Sequence, residues 1–288
     1  MTVTRHSSRS ALLACVSTIA LSLGATVPVL AQTVNDGDTR DTQINMQDNT
    51  AVIVEGGGTL SVTCDADSSD RQAIRYDVND GEVRIDEGGT AELTAGVGCD
   101  DDPEDLATIR GVGSGDADNP TSGTIDVDGT LNGTIDGETN RTAIFIGDGV
   151  GGQVTDDNET PDDDTDDTVT DHFVEVSVGE TGEINGDVYL GSGGNHTFVN
   201  EGTVNGKVTQ VGRESTDYAN SGTHNAGADG VAVEMADNPN DTIRSTGINN
   251  VGTINGDIRL GGGGSHTLQS TGTITGDSVV HVRQLQFL

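Results

Sequence analysis

Two histidines stand at matching positions of a repeated segment, and they are the first candidates for metal chemistry. His196 and His266 each follow a glycine-rich run and precede a threonine. Two imidazoles can share a zinc ion only if both nitrogens lie about 2 Å from it. Three stacked repeat units would separate the two histidines by roughly 14 Å. We therefore expect no metal here, and we expect both side chains to point outward at equivalent corners.

Two aspartates also match across the repeats. Asp187 and Asp257 would face the same separation, which exceeds the carboxyl spacing of about 5–9.5 Å in glycosidases. The basic residues of the repetitive region are scattered and share no repeat position. We expect no catalysis. A β-helical polysaccharide lyase or hydrolase remains an alternative by analogy of fold only.

Other motifs that carry chemistry are missing. The glycine runs at 56–58 and 261–264 lack the Gly-Lys-Ser/Thr ending of a phosphate-binding loop. The sequence has no Cys-x-x-Cys, no His-Glu-x-x-His and no Gly-x-Ser-x-Gly. The run at 261–268 resembles the calcium repeat of repeats-in-toxin proteins, but histidine replaces the ligating aspartate. We predict no catalytic, cofactor-binding or metal-binding residue.

Self-similarity is the clearest signal for the elements that position these residues. Residues 184–199 and 254–269 are identical at ten of sixteen positions. A Gly-x-x-x-Gly motif begins at glycines 182, 202, 252 and 272, with a degenerate copy at Gly222. The step is twenty residues, with one ten-residue insertion that we place in a loop at Met235–Asn240.

Each copy contains a strand pattern with a period of two. In 184–190 and in 254–260 the alternate residues are apolar or glycine, so one face is predicted to be buried. Such strands bury that face only by stacking on neighbouring copies. The sequence therefore predicts an all-β, right-handed parallel β-solenoid with coils of about 20 residues.

The mature chain divides into three parts. Residues 32–153 contain the same kinds of short strand and glycine turn with weaker periodicity, and they are predicted to form an irregular solenoid. Residues 154–171 are dominated by acidic side chains and are predicted to form a disordered loop extruded from the stack. Residues 172–288 form the strongly repetitive part.

The first 31 residues have the features of an export signal. A basic start precedes a mostly apolar run, and Val29-Leu30-Ala31 supplies small residues at the cleavage site. We predict cleavage between Ala31 and Gln32, which would leave no stable membrane span. In an oxidising compartment Cys64 and Cys99 are then expected to pair, with two free thiols as the alternative.

The charge excludes several classes of partner. The chain has 48 acidic and 13 basic residues, a net charge of −35. Nucleic-acid binding requires a basic stripe, so nucleic acid is excluded, and docking on anionic lipid is disfavoured. Candidate partners are glycans or proteins on host or neighbouring cells.

The runs Asn200–Gly206 and Gly252–Leu268 resemble repeats of autotransporter passenger domains of Gram-negative bacteria. The resemblance implies an adhesive or structural passenger, secreted or displayed at the outer membrane by a C-terminal barrel. Only residues 278–288 follow the last repeat, so we expect a separate transporter barrel to be needed. The alternative is a truncated passenger stranded in the periplasm without independent function.

Overall fold

The computed structural model describes most of the chain after the leader. The described residues are 31–46, 50–64, 72–76, 80–95, 106–111, 122–133, 142–147, 154–156, 168–170, 174–191, 195–211, 215–236, 245–261, 265–280 and 285–287. Every regular element among them is a β-strand, and the thirty strands are numbered in chain order as β1–β30. No helix in this part of the chain is long and apolar enough to cross a membrane.

Twenty-eight strands form three parallel sheets. Sheet A contains β1 (Gln32–Val34), β4 (Ala51–Val54), β7 (Gly81–Ile85), β10 (Gly123–Val127), β15 (Val174–Val178), β18 (His196–Asn200), β21 (Ser215–Asn220), β24 (Ser245–Asn250), β27 (Ser265–Ser270) and β30 (Leu285–Phe287). Sheet B contains β2 (Thr39–Arg40), β5 (Thr59–Cys64), β8 (Thr90–Ala95), β11 (Thr130–Asn132), β16 (Glu183–Asn185), β19 (Thr203–Asn205), β22 (Thr223–Asn225), β25 (Thr253–Asn255) and β28 (Thr273–Ile274). Sheet C contains β3 (Ile44–Asn45), β6 (Gln72–Arg75), β9 (Ala107–Gly111), β12 (Thr142–Ile146), β17 (Asp187–Leu190), β20 (Val208–Gln210), β23 (Val231–Met235), β26 (Asp257–Leu260) and β29 (Ser278–Val280).

The chain visits sheets A, B and C in turn, so each set of three strands makes one coil. Nine coils stack, numbered here from 1 at the N-terminus, and β30 begins a tenth. Residues in the later coils pair with residues twenty positions away, as in Glu183 with Thr203. The predicted all-β, right-handed parallel solenoid with twenty-residue coils is confirmed.

The core lies inside the stack of coils and is lined by the inward residues of the strands of the three large sheets, which alternate with outward residues in most of these strands. Ile184, Val188 and Leu190 are at most 1% exposed, and so are Ile254 and Ile258. The prediction that these residues point inward is correct. Because each coil covers the apolar side chains of its neighbours, the solenoid buries a continuous core without needing a second layer.

The repeated glycines lie where successive coils approach too closely for a side chain. A Cβ at Gly222 would lie 2.1 Å from the carbonyl oxygen of Gly202, and one at Gly252 would lie 2.2 Å from that of Gly222. The repeat therefore needs glycine at this corner because any larger residue would push the coils apart.

The ten-residue insertion is divided between two places. Val208 pairs with Val233 and Ser215 pairs with Ser245, so half of the extra length lies before β23 and half after it. Met235 is fully buried in β23 and does not belong to the loop that we predicted. The prediction is wrong for Met235 because the alternating pattern of Val231–Met235 is short and stands directly before a turn signal.

The acidic segment stands outside the three large sheets. Its ends form the antiparallel pair β13 (Val154–Asp156) and β14 (Thr168–Thr170), while residues 157–167 lie outside the described residues. Val154, Thr155 and Val169 favour such extended pairing. The disordered loop that the sequence predicts for this segment stays a prediction.

Candidate functional site on the solenoid surface

The two repeat histidines are buried, which corrects the expectation that they point outward. His196 and His266 are each 1% exposed. They occupy one core column of sheet A, three coils apart, as the register from His196 through Thr216 and Thr246 to His266 shows. The alternation of the strand, read from Phe198 or Leu268 backwards, places both histidines on the inner face.

His196 is held as a neutral imidazole. Its Nε2 lies 2.9 Å from the carbonyl oxygen of Gly191, and the backbone N–H of Val174 donates to Nδ1 at 3.3 Å. Burial lowers the pKa of His196 to about 4, against the opposing effect of these backbone hydrogen bonds. A proton on Nδ1 would break the bond from Val174.

A third histidine, His224, is also buried, and the sequence patterns above do not single it out. It lies at the inward position of β22, with Nε2 2.8 Å from the Gly206 carbonyl oxygen and Nδ1 2.5 Å from the Tyr218 hydroxyl oxygen. Burial lowers its pKa to about 4 as well. The degenerate repeat Gly222-Thr-His-Asn was the available signal, because it puts histidine where the other copies have Val or Ile.

Asp187 and Asp257 bind backbone rather than forming an acid/base pair. An Oδ1 of Asp187 accepts the backbone N–H of Lys207 at 2.7 Å, and Asp257 accepts that of Asp277 at 2.9 Å. Each aspartate therefore links the corner of its coil to the next coil. Burial raises the pKa of Asp187, against the lowering effect of Lys207.

The single lysine of the chain bridges two carboxylates. The Nζ of Lys207 lies 3.3 Å from Asp229 and 3.3 Å from Glu234. Burial alone would lower the pKa of Lys207, but the two carboxylates raise it above the ordinary value. This amine is therefore a structural cation rather than a nucleophile.

The predicted cysteine pair is described at one end only. Cys64 is 2% exposed, ends β5 and is disulfide-bonded. Cys99, its predicted partner, lies outside the described residues, so this pairing stays a prediction. Gln32, the predicted mature N-terminus, is the first residue of β1, next to the exposed Ala31, while residues 1–30 lie outside the described part.

One column of asparagines lies inside the stack. The Nδ2 of Asn200 donates to Oδ1 of Asn220 at 2.7 Å, and Asn220 donates to Asn250 at the same distance. Asn250 continues the column to the hydroxyl of Ser270 at 3.1 Å. The Oδ1 of Asn200, at the first step, is buried without a partner.

A second column of asparagines lies on the outer face of sheet B. Each amide donates to the previous one along the stack at 2.7–3.0 Å, and the hydroxyl of Thr275 donates to Asn255 at 3.3 Å. The members of this outer asparagine column are Asn132, Asn185, Asn205, Asn225 and Asn255. They are half-buried, in contrast to the fully buried inner column.

A row of threonines runs beside the outer asparagine column, two residues earlier in each strand. Threonine occupies this position in eight of the nine coils, and Glu183 occupies it in coil 5. The row consists of Thr39, Thr59, Thr90, Thr130, Thr203, Thr223, Thr253 and Thr273. In the part of the chain that the structure describes, none of these hydroxyls has a hydrogen-bond partner.

The outer face of sheet B in coils 6–9 carries no charge. Its outward side chains are all Thr or Asn, from Thr203 to Thr275. The same coils carry Asp217 on sheet A and Glu234 and Arg259 on sheet C. A neutral face of this length is unusual in a chain with net charge −35. We call it the threonine–asparagine face.

Sheet C carries the other ordered surface feature, a ladder of stacked side chains. The rings of Phe145 and Tyr189 lie 5.0 Å apart and are nearly parallel, and the guanidinium of Arg110 lies 5.9 Å from the Phe145 ring centroid. Both faces of the Phe145 ring are thereby covered within the protein. The ladder stabilises the stack of coils 3–5 and leaves no ring face of Phe145 for a ligand.

Among the described residues no group of three or more His, Cys, Asp or Glu side chains could hold a metal ion. No protein-family model, no curated protein and no solved structure matches this chain. The surfaces of the solenoid itself must therefore carry any functional argument. The threonine–asparagine face is the best candidate, because it combines a regular repeat with the absence of charged side chains at its outward positions in coils 6–9.

Proposed function

We propose that this chain is an exported, non-catalytic β-solenoid that acts outside the cell as an adhesive scaffold, in the manner of an autotransporter passenger. The observation that carries the proposal is the threonine–asparagine face: a rigid, repeated and uncharged surface on an otherwise acidic protein. Interfaces are depleted of charge at their centres, so a charge-free face of this kind suits binding rather than solvation.

The histidines and aspartates that first suggested chemistry support a scaffold as well. His196 and His224 are buried and hydrogen-bonded in the core, and Asp187 and Asp257 each bind a backbone N–H of the next coil. These groups are engaged in holding coils together. An acid, base or nucleophile must instead reach a substrate.

The leader and the charge agree with a place outside the cytoplasm. The sequence up to Ala31 has the order of a cleaved export signal, and the acidic composition keeps an extracellular protein soluble. The repeats resemble those of passenger domains, which adds the expectation of surface display or secretion.

Protease shaving of intact cells that produce the full chain tests this proposal. Antibodies against residues 172–288 would follow the antigen, and a periplasmic protein of the same cells serves as the control that must remain intact. We expect the antigen on the surface or in the medium. An antigen that is digested only after the outer membrane is opened would contradict the proposal and favour a passenger stranded in the periplasm.

A further inference from the structure

The threonine–asparagine face deepens the proposed function, because its chemistry restricts what the scaffold can bind. We propose that this face binds the surface of a crystalline, uncharged polysaccharide. The inference rests on the proposed function, since such a polymer lies outside the cell. Four properties select this partner: the neutrality of the face, its repeat, its unused hydrogen-bonding groups and its area.

The first property is the lack of charge. In coils 6–9 the outward positions of sheet B hold only threonine and asparagine, although the chain has 48 acidic residues. A charged polymer, an anionic membrane or a basic protein would gain nothing from such a surface. The acidic residues at the other faces would also repel an anionic partner. The face therefore fits a neutral ligand.

The second property is the fixed repeat. Neighbouring strands of sheet B are in strict register, so Thr203, Thr223 and Thr253 lie one above another at about 4.8 Å per coil. Threonine is stiff at χ1, and the backbone of the solenoid is rigid, so little conformational entropy is lost on binding. A preorganised row gains most from a partner that is itself rigid and repeats in one direction.

The third property is the set of unused hydrogen-bonding groups. The hydroxyls of the threonine row have no partner within the described part of the chain. Asn225 and Asn255 each use one N–H and one oxygen lone pair in the outer column, which leaves one donor and one acceptor for a ligand. Alternating donors and acceptors in fixed directions suit the hydroxyl groups of a sugar polymer.

The fourth property is the area, which argues against a second copy of the chain. Four coils at about 4.8 Å and a width of about 10 Å give roughly 190 Å² per partner, about a quarter of the ~800 Å² that a standard stable interface needs. Two such acidic chains would also repel each other. An extended polymer surface avoids this limit because many weak contacts act together along one rigid row.

The structural explanation of the row is that threonine simply suits a strand at an outward position. That explanation is weaker in coils 2–4, where the repeat is otherwise irregular and the outer asparagine column is incomplete, yet Thr59, Thr90 and Thr130 keep the same position. Other outward positions of the same strands vary, as in Ser61 and Glu92.

Sedimentation of the purified full chain with microcrystalline cellulose or chitin tests the proposal. The variant Thr223→Lys/Thr253→Lys places two charges on the threonine row. The matched control, Thr197→Lys/Thr267→Lys, makes the same change at outward positions of sheet A. We expect the row variant to bind at least about tenfold more weakly and the control to stay within about twofold of the parent. Unchanged thermal unfolding of both variants would show that the fold is intact.

Three results would overturn the assignment. Equal binding by the row variant and the control would move the contact to another face. Adsorption of the parent to growing ice but not to either polysaccharide would show that the row orders water instead. A parent chain that binds neither polymer would remove this class of partner. Protease shaving separates this failure from that of the proposed function, because a surface-exposed chain without polysaccharide binding keeps its place outside the cell.

Discussion

Val178 and Asn200 occupy the same core position in successive coils, and the character of the solenoid changes between them. Before this step the column is aliphatic, with Val34, Val54, Ile85, Val127 and Val178. After it the column is Asn200, Asn220, Asn250 and Ser270. The first half therefore depends on apolar packing, and the second half adds a hydrogen-bonded ladder at its centre.

The segments that connect the strands are also longer in the first half than at most places in the second half. In coils 3 and 4 long segments, 96–106, 112–122 and 147–173, join the strands, whereas Gly256 alone joins β25 to β26 in coil 8. Long loops cost little extra free energy once the strands are paired. Aliphatic side chains specify register only by burial, whereas each asparagine must meet the next one. We infer that the polar ladder fixes the register of the coils in the second half, across the ten-residue insertion as well.

The largest expected effect comes from placing a charge in the core of the second half. Ile254→Asp buries a carboxylate in a position that is now fully inaccessible, so we expect a loss of at least about 4 kcal/mol of the free energy of unfolding. Hydrogen exchange should show coils 7–9 opening while coils 2–4 stay protected. Thr253→Asp, one residue away and facing outward, is the control. Unchanged cooperative melting of Ile254→Asp would contradict the inward assignment.

Acid should weaken the second half before the first. His196 and His224 have pKa values lowered to about 4 in the folded chain. Below a pH of about 6.5 the histidines bind protons in the unfolded chain but stay neutral in the folded chain. The stability that is present above pH 6.5 is therefore lost as the pH falls towards 4, by up to about 3 kcal/mol for each histidine. Denaturation curves at pH 7 and pH 4.5 measure the loss.

Two aspartates act with the opposite sign. Burial raises the pKa of Asp126 and of Asp187 in the folded chain, so each favours folding more as the pH falls. The variant His196→Gln/His224→Gln keeps these aspartates, and its difference from the parent isolates the histidines. If the parent and the variant lose stability equally on acidification, the buried histidines are not the cause.

A smaller effect is expected for the inner asparagine column. Asn220→Val removes the acceptor of one Asn200 Nδ2 hydrogen bond and the donor to the buried Oδ1 of Asn250, and we expect a loss of about 2 kcal/mol. Changing Asn200, Asn220 and Asn250 together to Val should recover most of this loss, because the column then matches that of the first half. A triple variant that is less stable than the single one would show that the ladder stabilises the fold in its own right.

The smallest effect is expected at the corner between coils 5 and 6. Asp187→Ala removes the acceptor of the Lys207 backbone N–H, and we expect a loss of about 1 kcal/mol because water can reach the half-buried N–H. Glu180→Ala, an exposed change on the same coil, is the control and should be silent. Chemical denaturation of both variants measures the difference. Equal stability of the Asp187→Ala and Glu180→Ala variants would show that this hydrogen bond does not stabilise the fold.

The fold could be predicted because its rules are local. Glycine spacing gave the length of the coil, and the alternation around Ile184 and Ile254 gave the inner face. The prediction that the histidines point outward is wrong because a polar residue after a glycine run can begin a strand as well as occupy a corner. The alternation of the next strand, read backwards from Phe198 and from Leu268, puts both histidines inside. Both ring nitrogens of His196 are hydrogen-bonded, to the Gly191 carbonyl and to the Val174 N–H. His266 differs: its Nδ1 meets the hydroxyl of Thr246 in the preceding coil, while its Nε2 is buried without a partner among the described residues.

The candidate site was only half visible in the sequence. The Gly-Thr-x-Asn repeats contain the threonine row of coils 6–8, and Thr59, Thr90 and Thr130 also follow a glycine. The sequence spacing between these threonines is irregular because of the long connections. The register between the coils is what shows that they lie in the same row.

The claim that both halves form one continuous stack is tested most directly by a distance between them. Spin labels carried by unnatural amino acids at Thr90 in coil 3 and Thr253 in coil 8 leave the native cysteines in place. Five steps of about 4.8 Å predict a separation of roughly 24 Å between the two backbone positions. A single narrow distribution centred there, widened only by the label tethers, would support the continuous solenoid. A broad distribution or a much longer distance would mean that the acidic insertion separates two independent stacks.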